Sequence, residues 1–207
     1  MNLSNLGREF YKFNFVDTIM LINWIWEILY YFGFYRRAKL MIIGLDNAGK
    51  STLLSLLKHG KLIQHPPTPR PVSEEMTLGG ITFTAYDLGG HQMARRLWKE
   101  YMPAINAVVF VVDASDKVRI SETRAELKGL FESDFPKEIP VAILGNKTDK
   151  KDCYGTEELV QVLELQQYIT TCEESVTSSR ECQLFMTSML YRQGYGDAFR
   201  WLAKQLK

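Results

Sequence analysis

The amino-acid sequence predicts a doubly wound α/β fold, built on a mostly parallel six-stranded sheet with one antiparallel hairpin. Two short runs, 107–112 and 141–144, consist of β-branched and other apolar residues, as is typical of buried parallel strands. Segments with helical spacing lie between the apolar runs, and this alternation indicates a parallel sheet joined by helices. Gly79 and Gly80 stand between two further strand-like runs, and such a pair predicts the tight turn of a hairpin.

The other predicted elements continue this alternation toward the end of the chain. Strands are predicted at 40–43, 76–78, 81–86, 107–112, 141–144 and 183–186, and helices near 53–57, 117–131, 156–167 and 196–206. Pro66, Pro67, Pro69 and Pro71 fall within 62–74, and each proline removes a backbone donor and disfavours helix in the residue before it. This stretch is therefore expected to be an extended loop.

Size and charge narrow the classes of function. The chain has 207 residues, which suffices for one domain with a sizeable core, and its formal net charge is +1. Because no overall positive field would draw it to a nucleic acid, no nucleic-acid partner is expected. Cys153, Cys172 and Cys182 lack the spacing of a metal site or a disulfide framework, which favours a reducing, cytoplasmic location.

The first 38 residues differ in composition from the rest of the chain. Large apolar and aromatic residues crowd this segment, and Trp24 and Trp26 belong to a run that suits the interface of a bilayer. We therefore expect residues 1–38 to be an amphipathic, membrane-binding segment that precedes a folded domain at 39–207.

Two alternatives to this membrane-surface role remain. The segment packs against the folded domain in one of them, either permanently or in one state of the protein. In the other it spans the bilayer, although the apolar run at 19–35 is short for a span and carries Glu27 near its middle. In the membrane-surface interpretation, Arg36 and Arg37 would lie near the lipid headgroups.

The segment at 44–51 contains the phosphate-binding pattern G-x-x-x-x-G-K-S between a predicted strand and a predicted helix. Glycines in such a loop allow backbone N–H groups to converge on phosphates at the start of a helix. Lys50 is placed to contact the β- and γ-phosphates, and the Ser51 hydroxyl to ligate Mg²⁺. The residues predicted to bind the nucleotide here are Asp46, Asn47, Ala48, Gly49, Lys50, Ser51 and Thr52.

The sequence Asn-Lys-Thr-Asp at 146–149 is a candidate base-reading loop after a buried strand. The Asp149 carboxylate can accept hydrogen bonds from N1–H and the exocyclic amine of guanine, a pair of donors that adenine lacks. The Lys147 stem can lie over the base or the ribose, and Asn146 opens the loop. The backbone amides expected to reach guanine O6 are those of Ser188, Met189 and Leu190. An ordinary strand-end turn is the alternative for these three residues.

Two further segments are predicted to surround the γ-phosphate. Asp87 is placed to hold Mg²⁺ through water, and the Gly90 amide can approach the γ-phosphate because glycine has no side chain. His91 is the candidate catalytic residue, since its imidazole can orient the attacking water. Thr68 is the candidate second hydroxyl ligand of Mg²⁺. Asp46 is a further candidate metal ligand when the Thr68 loop is retracted, and a plain surface carboxylate is the equal alternative.

Five segments together carry a family resemblance. They are Gly-Leu-Asp-Asn-Ala-Gly-Lys at 44–50, Ser-Glu-Glu at 73–75, Asp-Leu-Gly-Gly-His at 87–91, Pro-Ala-Ile-Asn at 103–106 and Arg-Gln-Gly-Tyr-Gly at 192–196. These segments resemble the Sar (secretion-associated Ras-related) family, in the Arf/Sar branch of the Ras-like small GTPases, which are P-loop NTPases. Histidine at 91, and Asn2 in place of the glycine that myristoylation requires, point to Sar rather than Arf.

The resemblance implies an enzyme that hydrolyses GTP to GDP with Mg²⁺ as cofactor. It further implies assembly of the COPII coat, with peripheral attachment to the endoplasmic reticulum membrane and the Golgi as a second site. The implied partners are a membrane exchange factor and a GTPase-activating protein of the inner COPII coat, which would supply an arginine in trans.

Two other functions stay open on the sequence. A nucleotide-bound scaffold with little turnover is one, because Pro69 directly follows Thr68 and Pro69-Arg70-Pro71 departs from the usual family sequence. An Arf-like GTPase of another organelle is the other. The N-terminal segment is also longer than expected for the Sar family, and the stretch at 164–182 diverges from it.

Overall fold

A six-stranded sheet forms the centre of the computed structural model, which describes residues 36–63, 72–78, 81–88, 98–132, 136–169 and 181–206. The strands are β1 Arg36–Ile43, β2 Val72–Leu78, β3 Ile81–Asp87, β4 Ala107–Asp113, β5 Val141–Asn146 and β6 Cys182–Met186. Their order across the sheet is β2-β3-β1-β4-β5-β6. The pairs β1–β4, β4–β5 and β5–β6 are parallel, and one pair in the sheet is antiparallel. The fold class predicted from the sequence is therefore confirmed.

Helices connect the strands in the described part of the chain. They are α1 Lys50–His59, α2 Trp98–Tyr101, α3 Ile120–Glu132, α4 Thr156–Val162 and α5 Tyr195–Gln205. Short 3₁₀ turns occupy Met102–Ala104 and Leu165–Gln167.

The central strands are buried on both faces. Every residue of β5 is buried, and so is β4 as far as Val112, which explains why their sequences are continuously apolar rather than alternating. β3 instead alternates buried and half-buried residues. The ring of Trp98 packs edge-on against Phe110 of β4, with 6.1 Å between ring centroids, and this contact anchors the short helix α2.

Two helices differ from their predicted bounds for local reasons. α3 begins at Ile120 rather than near 117, because the Asp116 carboxylate accepts a hydrogen bond from the Arg119 amide (3.2 Å) and closes a turn first. α4 ends at Val162 rather than near 167, since Glu164 adopts a left-handed conformation (φ 55°) in which an α-helix cannot continue.

β1 begins at Arg36, before the predicted domain boundary at residue 38. Ala38 and Leu40 are buried whereas Arg37 and Lys39 are exposed, so this end of β1 alternates as a half-covered strand does. The structure thus places Arg36 and Arg37 in the sheet. The membrane-binding role expected for residues 1–38 stays a prediction.

The chain divides into two compact units. The larger unit, Ala38–Met76 with Phe83–Lys207, contains the phosphate and base-reading loops. The smaller unit comprises Met1–Arg37 and Thr77–Thr82. Within it, the hydroxyl oxygens of Thr77 and Thr82 lie 3.4 Å apart. Among the described helices, none combines the length and the apolar character needed to span a bilayer.

Candidate nucleotide-binding site

The candidate site lies where several strands of the sheet end. β1 leads into the phosphate loop, β5 ends at Asn146, and β6 leads into Thr187 and Ser188. The Leu88 amide after β3 donates to the Ile42 carbonyl of β1 (3.3 Å), so the end of β3 lies beside the start of the phosphate loop. Ligands of open α/β sheets bind at this carboxyl edge, which is where the predicted loops meet.

The backbone of the phosphate loop requires glycine at two positions. Gly44 and Gly49 have φ values of 135° and 108°, which side chains with a Cβ rarely adopt. A Cβ on Gly44 would lie 2.1 Å from the Val111 carbonyl oxygen, and one on Gly49 would lie 2.4 Å from Nδ2 of Asn146. The phosphate loop therefore packs closely against β4 at Gly44 and against the base-reading loop at Gly49.

Lys50 is the first residue of α1 and has only 6% of its surface exposed. Its ammonium group donates a hydrogen bond to the Leu45 carbonyl (2.9 Å), five residues earlier in the phosphate loop. A buried ammonium group is tolerated only where it has hydrogen-bond acceptors or negative charge around it. The geometry therefore holds a positive charge against the loop whose amides are expected to receive the phosphates.

Ser51 and Asp87 form the candidate magnesium site. The Ser51 hydroxyl donates to Oδ2 of Asp87 at 2.6 Å, and Asp87 is only 2% exposed. A hydroxyl and a carboxylate are the hard oxygen ligands that Mg²⁺ prefers, usually together with substrate phosphates and waters. Within the described residues, no group of three or more His, Cys, Asp or Glu side chains could hold a metal alone. The two residues therefore fit a magnesium ion that is shared with a bound nucleotide.

The buried side chain of Asn146 joins three segments of the site. Its Nδ2 donates to the Ala48 carbonyl in the phosphate loop at 2.8 Å. Its Oδ1 accepts a hydrogen bond from the Met189 amide at 3.2 Å. Because an amide side chain offers both a donor and an acceptor, one residue fixes the base-reading loop to both of its neighbours.

Asp149 is held ready by a neighbouring hydroxyl. Ser188 Oγ donates to Oδ1 of Asp149 at 2.5 Å. The amide and the hydroxyl of Thr148 both donate to the Thr187 carbonyl, at 3.2 and 3.1 Å. These contacts orient the carboxylate predicted to read guanine and connect its loop to the end of β6.

Lys147 adopts a left-handed backbone conformation (φ 68°), and its side chain is fixed by Asp113 at the end of β4. Its ammonium group lies 2.6 Å from Oδ2 of Asp113. Burial raises the pKa of Asp113, but hydrogen bonds from Lys147 and Ser115 outweigh that effect, and the net pKa is below its ordinary value. The lysine stem is thus positioned by a charged hydrogen bond rather than left free in solvent.

Asp46 of the phosphate loop forms an ion pair with Arg119. Nη2 and Nη1 of Arg119 donate to the two oxygens of Asp46 at 2.7 and 3.1 Å. Hydrogen bonding to Arg119 lowers the pKa of Asp46, and hydrogen bonding to Asp46 raises the pKa of Arg119. The carboxylate is therefore more than a plain surface group, and its predicted role as a magnesium ligand stays a prediction.

The amides predicted to reach guanine O6 are not equivalent. The Ser188 amide donates to the Gln193 carbonyl (3.1 Å), and the Met189 amide donates to Asn146. Among the described residues, the Leu190 amide has no hydrogen-bond acceptor. In this structure, Leu190 is therefore the one of the three whose amide can turn to a ligand without breaking an internal bond.

The predicted site residues and those that the structure describes overlap only in part. Thr68, Gly90 and His91 lie outside the described residues. The structure adds Asp113 and Arg119, which sequence reasoning missed. Asp113 follows a buried strand, and a carboxylate at that position was a usable signal. Arg119 carried no comparable signal, because its partner is far away in the chain.

Comparison with known proteins agrees with this geometry. A model of the ADP-ribosylation factor family matches residues 26–206. A small COPII coat GTPase SAR1 from Giardia intestinalis is 38% identical over 187 residues, which cover 89% of this chain and 98% of that protein. ADP-ribosylation factor K from Dictyostelium discoideum is 33% identical over 168 residues, or 81% of this chain and 85% of that protein.

A solved structure supports the same relationship. The Arl6 BBS3 small GTPase from Trypanosoma brucei, solved with the nucleotide analogue GppNp bound, superposes with a TM-score of 0.71. It is 26% identical in sequence, and the match covers 82% of this chain and 97% of that one. The chain belongs to the ADP-ribosylation factor family, the Arf/Sar branch of the small GTPases, which hydrolyse GTP.

Proposed function

We propose that this protein is a switch that binds GDP or GTP with Mg²⁺ and, in its GTP form, starts assembly of a COPII-type coat on the endoplasmic reticulum membrane. The main support for nucleotide binding is the position of Asn146, whose side chain connects the phosphate loop to the base-reading loop. One ligand with phosphates at one end and a base at the other would contact both loops. Guanosine nucleotides have this form, and Asp149 selects their base.

Each end of the nucleotide has its own set of residues in this proposal. Lys50 and the amides of the phosphate loop neutralise and orient the phosphates. Ser51 and Asp87 hold Mg²⁺, with Thr68 as the further ligand predicted from the sequence. The bound Mg²⁺ would neutralise charge on the β- and γ-phosphates. Asp149, oriented by Ser188, accepts the two N–H donors of guanine.

His91 is the proposed catalytic residue. Its imidazole would orient the attacking water, while an arginine from a GTPase-activating protein would supply the remaining positive charge. Replacing His91 by glycine is expected to lower stimulated GTP turnover by about 10²-fold or more. Turnover of the His91→Gly variant equal to that of the wild-type chain, measured with the same activating protein, would contradict this role.

The coat-assembly role is supported by sequence similarity. The similar protein from Giardia intestinalis is a small COPII coat GTPase and is 38% identical, whereas the ADP-ribosylation factor from Dictyostelium discoideum is 33% identical. In this proposal residues 1–38 attach the 39–207 GTPase domain peripherally to the membrane from the cytoplasm. A membrane exchange factor would load GTP, and an inner-coat protein would stimulate hydrolysis.

Flotation with liposomes tests the switch. The full chain and a chain starting at Arg36, which retains all of β1, are mixed with phosphatidylcholine–phosphatidylserine vesicles and either GDP or a non-hydrolysable GTP analogue. We expect the full chain to float with the GTP analogue but not with GDP, and the shorter chain to float with neither nucleotide. A full-length Trp24→Glu/Trp26→Glu variant should lose flotation, and Arg124→Ala should keep it.

The same experiment can contradict the proposal. Equal flotation of the full chain with GDP and with the GTP analogue would mean that attachment does not depend on nucleotide. The membrane-switch proposal would then be wrong, even if guanine nucleotides bind.

An Arf-like function at another organelle is the second candidate. The similarity to an ADP-ribosylation factor and to the Arl6 structure favours it over unrelated functions. Imaging of the tagged full chain separates the two candidates. Colocalisation with an endoplasmic reticulum marker supports the coat role, and accumulation on another organelle supports the Arf-like role.

A further inference from the structure

Arg119 connects the phosphate loop to a segment of the chain 73 residues away. Its Nη1 and Nη2 atoms contact both oxygens of Asp46, and its Nε donates to Oε2 of Glu122 at 2.9 Å. The guanidinium group is therefore held by two carboxylates at once. This two-pronged contact with Asp46 is the geometry in which arginine binds a carboxylate most specifically.

The backbone of Arg119 is also fixed. Its amide donates to the Asp116 carboxylate (3.2 Å), and its carbonyl accepts hydrogen bonds from the amide and hydroxyl of Thr123 (3.0 and 3.2 Å). The same segment begins with Asp113, which holds Lys147 of the base-reading loop. The connection between β4 and α3 thus supports both ends of the candidate nucleotide site.

The position of Asp46 makes this contact relevant to ligand binding. Asp46 lies in the phosphate loop between Gly44 and Lys50, and a free carboxylate there would repel the phosphates of a nucleotide. Arginine bound to both carboxylate oxygens compensates that charge. Arg119 and Asp46 are about one-third exposed, at 30% and 39%. Since exposed ion pairs contribute little to folding stability, the main consequence of the pair should concern phosphate binding.

We propose that Arg119 is a positioning residue of the nucleotide site, which holds Asp46 in place and compensates its charge so that the phosphate loop accepts phosphates. This proposal rests on the assignment of 44–51 as the phosphate loop. It gives Arg119 no role in the chemical step. It predicts that removing Arg119 weakens nucleotide binding mainly because the Asp46 carboxylate is then uncompensated.

Dissociation of a fluorescent GDP analogue from the full chain in Mg²⁺ tests the proposal. We expect Arg119→Ala to accelerate dissociation by about tenfold or more. Arg119→Lys keeps the positive charge but cannot donate to both oxygens of Asp46 in the planar geometry of a guanidinium group, so an intermediate dissociation rate is expected. In an Asp46→Asn background, where no carboxylate is left to compensate, Arg119→Ala should accelerate dissociation far less than it does in the wild-type chain.

A matched control lies on α3, the helix that begins directly after Arg119. Arg124 of α3 forms an ion pair with Glu164 at 2.9 Å, away from the phosphate loop, and Arg124→Ala should leave the rate within about twofold of wild type. Unchanged dissociation in Arg119→Ala would overturn the proposal. Dissociation that is as fast in the Asp46→Asn/Arg119→Ala double variant as in Arg119→Ala would also overturn it, because that result would indicate a structural role independent of Asp46. Failure of the wild-type chain to bind GDP would instead refute the nucleotide site itself.

Discussion

Replacing Asp149 by asparagine is expected to weaken the binding of GDP and GTP by about 10²- to 10⁴-fold, through the loss of charged hydrogen bonds to the base. An asparagine oxygen can still accept from N1–H of guanine, but its NH₂ group then faces the exocyclic amine, and two donors oppose each other. Xanthine carries a carbonyl oxygen at that position. The variant should therefore gain affinity for xanthosine diphosphate, which competition against a fluorescent guanine nucleotide measures.

Asp152 provides the matched control for this change. It lies three residues later and is exposed, so Asp152→Asn makes the same chemical substitution outside the site. We expect guanine affinity within about twofold of wild type for this control. If Asp149→Asn retained full preference for guanine over xanthine, Asp149 would not be the residue that reads the base.

Replacing Lys50 by methionine is expected to weaken GTP and GDP binding by about 10²- to 10³-fold. Methionine keeps an unbranched apolar stem but removes the buried ammonium group that donates to the Leu45 carbonyl. The phosphates would then lose their nearest fixed positive charge, and one hydrogen bond that closes the phosphate loop would be lost. Isothermal titration of the nucleotide-depleted protein with GDP measures the change.

The exposed Lys61 shortly after α1 is the control for Lys50. Lys61→Met removes the same charge from the same region of the chain, and its effect on GDP affinity should stay within about twofold. Equal loss in the two variants would show that overall charge, rather than the position of Lys50 in the loop, governs binding. Thermal unfolding of each variant checks that the fold is retained.

Motif spacing predicted the parts of the fold and site that depend on local sequence. The strand before Gly44 and the helix after Lys50 both formed where the phosphate pattern requires them. The hairpin strands flanking Gly79 and Gly80 are also present, as β2 and β3. These features could be predicted because glycine, proline and apolar periodicity act within a few residues of one another.

Contacts between distant segments could not be predicted in the same way. Arg119 and Asp46 are separated by 73 residues, and Asp113 and Lys147 by 34. No local pattern marks either pair, since each depends on how the β4–α3 connection is placed beside the other loops. The contacts of Asn146 could likewise not be predicted, because its partners Ala48 and Met189 become neighbours only in the folded sheet.

Boundaries were displaced where a single side chain or backbone angle decided them. β1 extends back to Arg36, because an alternating strand can accommodate an exposed basic residue such as Arg37, which composition alone assigned to a membrane segment. Of the three amides predicted to reach guanine O6, those of Ser188 and Met189 donate within the protein, and the contact with guanine stays a prediction. Both outcomes reflect hydrogen bonds that form only in the complete fold.

Affinities for guanine and adenine nucleotides test whether the phosphate loop, Asp149 and the Ser51–Asp87 pair form one guanine-nucleotide site that uses Mg²⁺. Dissociation constants of GTP and ATP analogues would be measured for the full wild-type chain, with Mg²⁺ and with a chelator. We expect the GTP analogue to bind about 10³-fold or more tightly than the ATP analogue, and chelation to weaken it. Equal affinities for the two bases, or binding indifferent to Mg²⁺, would contradict the account.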